Sequence, residues 1–358
     1  MLNHKLHQSL IRLMSSSASS SAPITLLRFG PTRFAQKAWQ DLVTNYHVKI
    51  VESDATNRKE FLDELHSGKF ADVSYITRTF ESVTQTGLFD KELSDELVKY
   101  TKVKAVSHNG AGYDQVDAVA FGEKSVQVSN VPSLVDDATA DTHVYLLLSA
   151  IRNFQLSAVN MLAGKWPAEK CAGTPIGHDP QGKTLGILGM GGIGRAIRDR
   201  MKPFGVGEIL YHNRHRVPEE LEGGAKYVSQ DELFAKSDII SISIPLNPHT
   251  KHLINKKTIS QMKDGVVIIN TARGAIVDEV ELIPELKSGK VGSFGSDVWE
   301  NEPNANPELY GLPNVVCLPH MGTLTYETMK SMEEYVVKNV EEWLNTGKVL
   351  ALVPEQRK

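Results

Sequence analysis

Short hydrophobic runs rich in Val, Ile and Leu alternate along this chain with longer stretches of helical periodicity. That alternation predicts parallel α/β architecture rather than a sandwich. In the first half, Ile24–Arg28, Val48–Val51, Val73–Thr77, Val103–Ser107 and Val126–Ser129 predict five strands, which suits a small flavodoxin-like sheet. The second half offers six: Thr184–Leu188, Glu208–His212, Asp238–Ile244, Val266–Asn270, Gly292–Val298 and Val315–Leu318. Six strands are the complement of a doubly wound dinucleotide-binding sheet of order 3-2-1-4-5-6. Between the halves, Asp137 to Ile151 predicts one long helix with an acidic first turn that complements the helix dipole. Gly173 to Gly182 is a Gly/Pro-rich surface loop, and Thr325 to about Trp343 a further helix. Pro284 interrupts good periodicity over Asp278–Leu286 and predicts a kink against the carbonyl of Val280.

Composition narrows the class. At 358 residues, 41% hydrophobic and 23% charged, the chain suits two globular domains. A net charge of −4 and a pI near 6.3 give no general field for nucleic acid or anionic membranes. The longest apolar runs, such as Val144–Leu148, are too short to span a bilayer. Cys171 and Cys317 show no metal-ligand spacing and are expected as free thiols, with no metal site. The first 22 residues differ. No acid precedes Asp41, Ser15–Ser21 is serine-rich, and Leu2, Leu6, Leu10 and Leu13 recur at helical spacing beside Lys5 and Arg12. Such a leader is expected either as a mitochondrial transit peptide or as a disordered tail, and initiation at Met14 would remove its amphipathic part. The expected location is therefore cytoplasmic or mitochondrial.

The chemistry concentrates in four places. Gly189-Met190-Gly191-Gly192-Ile193-Gly194 follows a predicted strand and opens a helical run, the context a dinucleotide loop needs. Gly189 permits the turn, Gly191 lets backbone approach a pyrophosphate, and Gly194 lets helix and strand pack closely. The next strand ends in His212-Asn213-Arg214-His215-Arg216, with no acid for a ribose 2′-hydroxyl. His212, Asn213, Arg214 and Arg216 would instead pair a 2′-phosphate, so NADPH is expected over NADH. Arg273, Glu302 and His320 each lie at or beyond the end of a separate predicted strand. Any one alone would read as an ordinary surface or core residue. Together they supply a carboxylate clamp, an acid and an imidazole for hydride transfer to a small keto acid.

At these residues the chain resembles the D-isomer-specific 2-hydroxyacid dehydrogenases. The resemblance rests on the glycine loop, Asn270-Thr271-Ala272-Arg273-Gly274, Glu300-Asn301-Glu302-Pro303 and Pro319-His320-Met321-Gly322, and extends to Asn109-Gly110-Ala111-Gly112-Tyr113-Asp114 and Pro245–Asn255. It covers nearly everything after residue 23 and is nearest to the glyoxylate reductases of that family. It implies a substrate domain of residues 24–135 plus 325–354 and a dinucleotide-binding domain of residues 136–324, typically dimerising through the latter. By the same resemblance, Arg273 would bind the substrate carboxylate, His320 would protonate the keto oxygen, and Glu302 would orient the imidazole. Ala111 and Gly112 would hold the carboxylate through backbone N–H groups from the opposite domain, with Arg78 nearby. Asp297 would meet the nicotinamide carboxamide, and Thr139, Pro245, Ala272 and Gly322 would line the cofactor. The implied reaction is NADPH-dependent reduction of glyoxylate, and of hydroxypyruvate, to the D-2-hydroxy acid. Formate-oxidising members carry Gln where this chain has Glu302, and Arg78–Val83 departs from the usual Arg-Ser-x-Thr. Two alternatives stand beside this: a reductase of bulkier branched or aromatic 2-keto acids, and a dinucleotide-sensing corepressor of the same fold.

Overall fold

The computed structural model describes residues 23–357, and the expected leader, residues 1–22, lies outside them. The chain forms two compact units. The first takes residues up to Asn109, then Gln115–Asn130 and Glu334 onward; the second takes Gly110–Asp114 and Val131–Glu333.

The first unit carries β1 (Thr25–Arg28), β2 (Lys49–Glu52), β3 (Val73–Thr79), β4 (Ala105–Asn109) and β5 (Gln127–Ser129). All pair in parallel in the order β2-β1-β3-β4-β5, the flavodoxin-like arrangement expected from the sequence. Leu26, Leu27, Tyr75, Ile76, Val106 and Val128 fill the sheet's interior. Phe29 and Phe61 meet edge to face at 5.3 Å, and Phe89 stacks on Phe121 at 5.9 Å.

The second unit carries β6 (Leu185–Leu188), β7 (Ile209–His212), β8 (Lys226–Tyr227), β9 (Ile239–Ile242), β10 (Val266–Asn270), β11 (Val291–Ser296) and β12 (Val315–Cys317). These seven parallel strands run β12-β11-β10-β9-β6-β7-β8. The expected order 3-2-1-4-5-6 is present, but not with the six strands expected. Its third position belongs to β8, two exposed residues with no hydrophobic pattern to betray them, and β12 is a seventh. Strands β6, β9 and β10 are buried along their whole length, as a sheet covered by helices on both faces requires. The helix Asp136–Arg152 covers one face, with Leu146, Leu147, Ala150 and Ile151 in a cluster with Ile187, Ile239 and Ile269. Its first turn holds Asp136 and Asp137, and Asn153 closes it in the left-handed region at φ 56°. The helix Glu279–Ser288 runs continuously through Pro284, capped by the Asp278 side chain.

Cys171 and Cys317 are free thiols. Among the described residues no helix is long and apolar enough to cross a membrane, and no cluster of His, Cys, Asp and Glu could hold a metal.

Candidate active site

The glycine loop joins β6 to the helix Gly192–Met201, and steric reasons for three of its glycines are visible. Gly189 has φ 104°, and a side chain there would meet the Ser243 carbonyl oxygen at 2.5 Å. At Gly194 a methyl group would overlap the Gly189 carbonyl, so strand and helix can approach only without one. Gly191 is the opposite case: nothing lies within 4 Å of where its Cβ would be. That open backbone face, at the N-terminus of a helix of 10 residues, fits a dinucleotide pyrophosphate. Met190 is buried, Ile193 packs partly against the core, and Gly192 lies against the Asp136 carboxylate.

The end of β7 differs from the reading given by its residue types. His212 donates from Nδ1 to the Val228 carbonyl at 2.9 Å, and Asn213 Oδ1 accepts from the Met190 backbone N–H at 2.7 Å. Arg216 grips Glu222 with two bonds of 2.7 and 2.9 Å, and Tyr211 donates to the same carboxylate at 2.6 Å. Arg216, then Tyr211, hold the Glu222 carboxyl down to about 2. Three of the four residues expected to pair a 2′-phosphate therefore have an intramolecular partner. Arg214 is exposed and makes no hydrogen bond or ion pair with any described residue.

At the end of β10 the turn is shaped by Asn270, which is fully buried. Its Nδ2 donates to the Arg273 carbonyl at 2.9 Å, and its Oδ1 accepts from Ala272 N–H at 3.0 Å. Arg273 then donates from Nε to Asp114 Oδ1 at 2.7 Å and from Nη1 to the Ala272 carbonyl at 2.7 Å. The guanidinium lies over Gly112, where a methyl group would overlap Nη2. Residues 110–114, between β4 and Gln115 in the chain, group with this same unit. The Val131 N–H to Gly110 carbonyl bond of 2.9 Å ties them to it.

Gly274 presses against the backbone of Trp299 and Glu300 so closely that any Cβ would overlap it. Trp299 N–H donates to Glu302 Oε1 at 2.8 Å, and Trp299 Nε1 donates to the Leu318 carbonyl at 2.9 Å. Glu302 Oε2 in turn accepts from His320 Nδ1 at 2.6 Å. Glu302 and His320 thus meet directly, and Arg273 joins them through its neighbour Gly274.

His320 holds φ 53°, unusual outside glycine, and its N–H is bound to the Asp297 carbonyl at 2.7 Å. The Asp297 carboxylate, 1% exposed, accepts from Met321 and Gly322 N–H at 2.8 and 2.7 Å. Burial pushes its pKa up, against the pull of those two bonds. Asp297 therefore holds the turn that presents His320. A Cβ at Gly322 would stand 3.8 Å from Thr139 Oγ1, which places Thr139 beside that turn. Pro245 follows β9, and its carbonyl accepts from Thr250 Oγ1 at 2.7 Å.

Arg78, in the first unit, is 1% exposed. It bonds Ser82 at 3.1 Å and Gln115 at 2.7 Å and lies 5.0 Å from the Phe89 ring. It is a buried brace rather than an accessible cation, because β3 is an inner strand of its sheet. Asp114 and Gly274 were not anticipated as partners of the site. Both stand inside the motifs quoted above, but only the packing shows what they touch.

Residues 144–322 match the family described as D-isomer specific 2-hydroxyacid dehydrogenase, NAD binding domain. Glyoxylate reductase 1 of Saccharomyces cerevisiae is 50% identical over 94% of this chain and 96% of its own length. The 4-methyl-2-oxopentanoate reductase A of Aspergillus oryzae is 45% identical over 92% of this chain and 98% of its own. The crystal structure of a glyoxylate reductase from Paecilomyes thermophila superposes with a TM-score of 0.89 at 45% identity, covering 94% of this chain and 100% of that one.

Proposed function

The chain belongs to the D-isomer-specific 2-hydroxyacid dehydrogenase family, and from that premise we propose that it reduces glyoxylate, and hydroxypyruvate, with NADPH to the D-2-hydroxy acid. Membership makes it an NAD(P)-dependent oxidoreductase of small 2-hydroxy and 2-keto acids. The observation that carries the reaction is the 2.6 Å bond from His320 Nδ1 to Glu302. It orients the ring, and in this reading Nε2 gives its proton to the keto oxygen. A nicotinamide dinucleotide held by the second unit would supply the hydride for C2.

Arg273 takes the substrate carboxylate on the guanidinium edge not used by Asp114 and Ala272. The backbone of Ala111 and Gly112 lines the same carboxylate. As the C2–O double bond opens, its electron pair moves to oxygen, Nε2–H is transferred there, and His320 is left neutral beside Glu302. In this reading the second unit holds the dinucleotide: residues 189–194 against the pyrophosphate, Thr139, Pro245, Ala272, Asp297 and Gly322 along it, and Arg214 at a 2′-phosphate. Arg214 supports NADPH over NADH, as an exposed arginine of that turn with no hydrogen bond or ion pair to a described residue.

Steady-state kinetics with glyoxylate, hydroxypyruvate and 4-methyl-2-oxopentanoate, each with NADPH and NADH, test the proposal. Highest kcat/KM for glyoxylate with NADPH is expected. Preference for the branched acid would replace the substrate assignment, and preference for NADH would remove the phosphate role of Arg214.

We also propose a homodimer through this unit. Met161, Leu162, Trp166 and Ile176 are 56, 89, 61 and 97% exposed on one stretch of chain, large apolar side chains of the kind a second copy covers. Sedimentation velocity should give a dimer for the wild type and a monomer for Leu162→Asp/Trp166→Asp; a wild-type monomer would end this part.

A further inference from the structure

Beside the turn that carries Arg273, the second unit buries a histidine for which the chemistry above has no use. His143 is 0% exposed and stands one helical turn beyond Thr139 on the helix Asp136–Arg152. Its Nδ1 is 2.9 Å from Thr271 Oγ1, and its Nε2 is hydrogen-bonded to Ser241 Oγ. Burial holds the imidazole pKa down to about 3, so the ring is neutral at working pH. A neutral imidazole has one N–H and one bare nitrogen, so one hydroxyl accepts from the ring while the other donates to it.

The two hydroxyls lie in different places. Ser241 sits within β9, fully buried, paired with Ile269 of β10 and Ile187 of β6. Thr271 is the first residue past β10 and opens the turn that ends in Arg273. Asn270 fixes that turn at Ala272 N–H and at the Arg273 carbonyl. His143 fixes it at Thr271, the residue between Asn270 and Ala272, and anchors it to the sheet interior through Ser241. Packing does not demand this arrangement, since an aliphatic trio would fill the space without the cost of burying polar groups. What a hydrogen-bonded trio adds is a defined geometry.

We propose that His143 is a positioning residue, which through Thr271 sets the turn that aims the Arg273 guanidinium at the substrate carboxylate. This rests on the role given to Arg273 above. Four variants of the full chain test it. His143→Asn keeps a hydrogen-bonding atom facing Thr271, whereas His143→Gln keeps one facing Ser241. Thr271→Val and Ser241→Ala remove one hydroxyl each.

Loss of the Thr271 bond should raise KM for glyoxylate roughly five-fold in His143→Gln and in Thr271→Val. Their kcat and KM for NADPH should stay within about two-fold, and combining them should add nothing further. His143→Asn and Ser241→Ala should keep a KM near wild type. The Arg273 Nε–H resonance, recorded on 15N-labelled protein without nucleotide or substrate, is the readout that needs no activity. It should shift, or exchange faster with water, in His143→Gln and Thr271→Val only. An unchanged Arg273 resonance in those two variants, or equal changes in all four, would overturn the proposal, whatever happens to the melting temperature. If the wild type reduces no glyoxylate, the functional reading falls, and the resonance still decides this one.

Discussion

Two strands of the same sheet end in arginine-bearing turns, and the two arginines are held in opposite ways. After β7, Arg216 places two nitrogens on Glu222, an acid 7% exposed that Tyr211 also binds. After β10, Arg273 is steadied from one side, by Nε on Asp114 and Nη1 on its own turn, while Nη2 makes no hydrogen bond to a described residue. A guanidinium whose fork is filled by a carboxylate is a structural clamp; one held by its flank has an edge left for a ligand carboxylate. Residue type is the same in both turns. What separates a clamp from a candidate ligand-binding group is how many of its donors the protein has already used.

Arg273→Ala should cost the most, about a thousand-fold in kcat/KM for glyoxylate, since it removes both the carboxylate partner and charge near the reacting carbonyl. Retention of near-normal kcat/KM would make Arg273 a clamp like its counterpart. Glu302→Gln keeps the shape but removes the charge that flanks His320, much as Asp114 flanks Arg273. It should lower kcat about a hundred-fold with little change in NADPH binding, measured by fluorescence titration. Arg214→Ala should narrow the NADPH-to-NADH ratio of kcat/KM about ten-fold, the loss of one charge-assisted contact to phosphate.

Arg216→Ala should have the smallest effect on turnover, leaving KM for NADPH within about two-fold while lowering the melting temperature. Its stability loss should depend on pH with a definite sign. Glu222 is held below its ordinary value of 4.5, at about 2, so its pairing stabilises the fold above 4.5 and that contribution fades as pH falls through 4.5 toward about 2. Thermal melts of wild type and Arg216→Ala should therefore converge in acid. A large rise in KM for NADPH in this variant would return Arg216 to the cofactor.

Much of this was legible in the sequence because it depends on local rules. Hydrophobic runs placed β1–β5 and six of the seven strands of the larger sheet, and steric demand explains Gly189 and Gly194 from spacing alone. The pair Lys226–Tyr227 was missed because two exposed residues carry no periodic signal; pairing with Leu210 and Tyr211 makes them a strand. Pro284 interrupts the sequence pattern without ending the helix, which runs from Glu279 to Ser288. Asn213 and Arg216 have the chemistry of phosphate ligands, and only the fold reveals Met190 and Glu222 beside them. His143 lay inside a predicted helix without distinction, because Ser241 and Thr271 reach it from 98 and 128 residues away. Charge and hydrogen-bonding capacity can be read from a residue's identity, but whether that capacity is already spent depends on contacts far along the chain.

With no room for even one carbon between Gly274 and the stretch from Trp299 to Glu300, the turn bearing the guanidinium and the loop bearing the acid are packed backbone to backbone. Engineering that seeks a wider range of substrates by loosening one of them will disturb the other as well. Productive changes to specificity should therefore accumulate away from this seam, and libraries that randomise position 274 should return glycine.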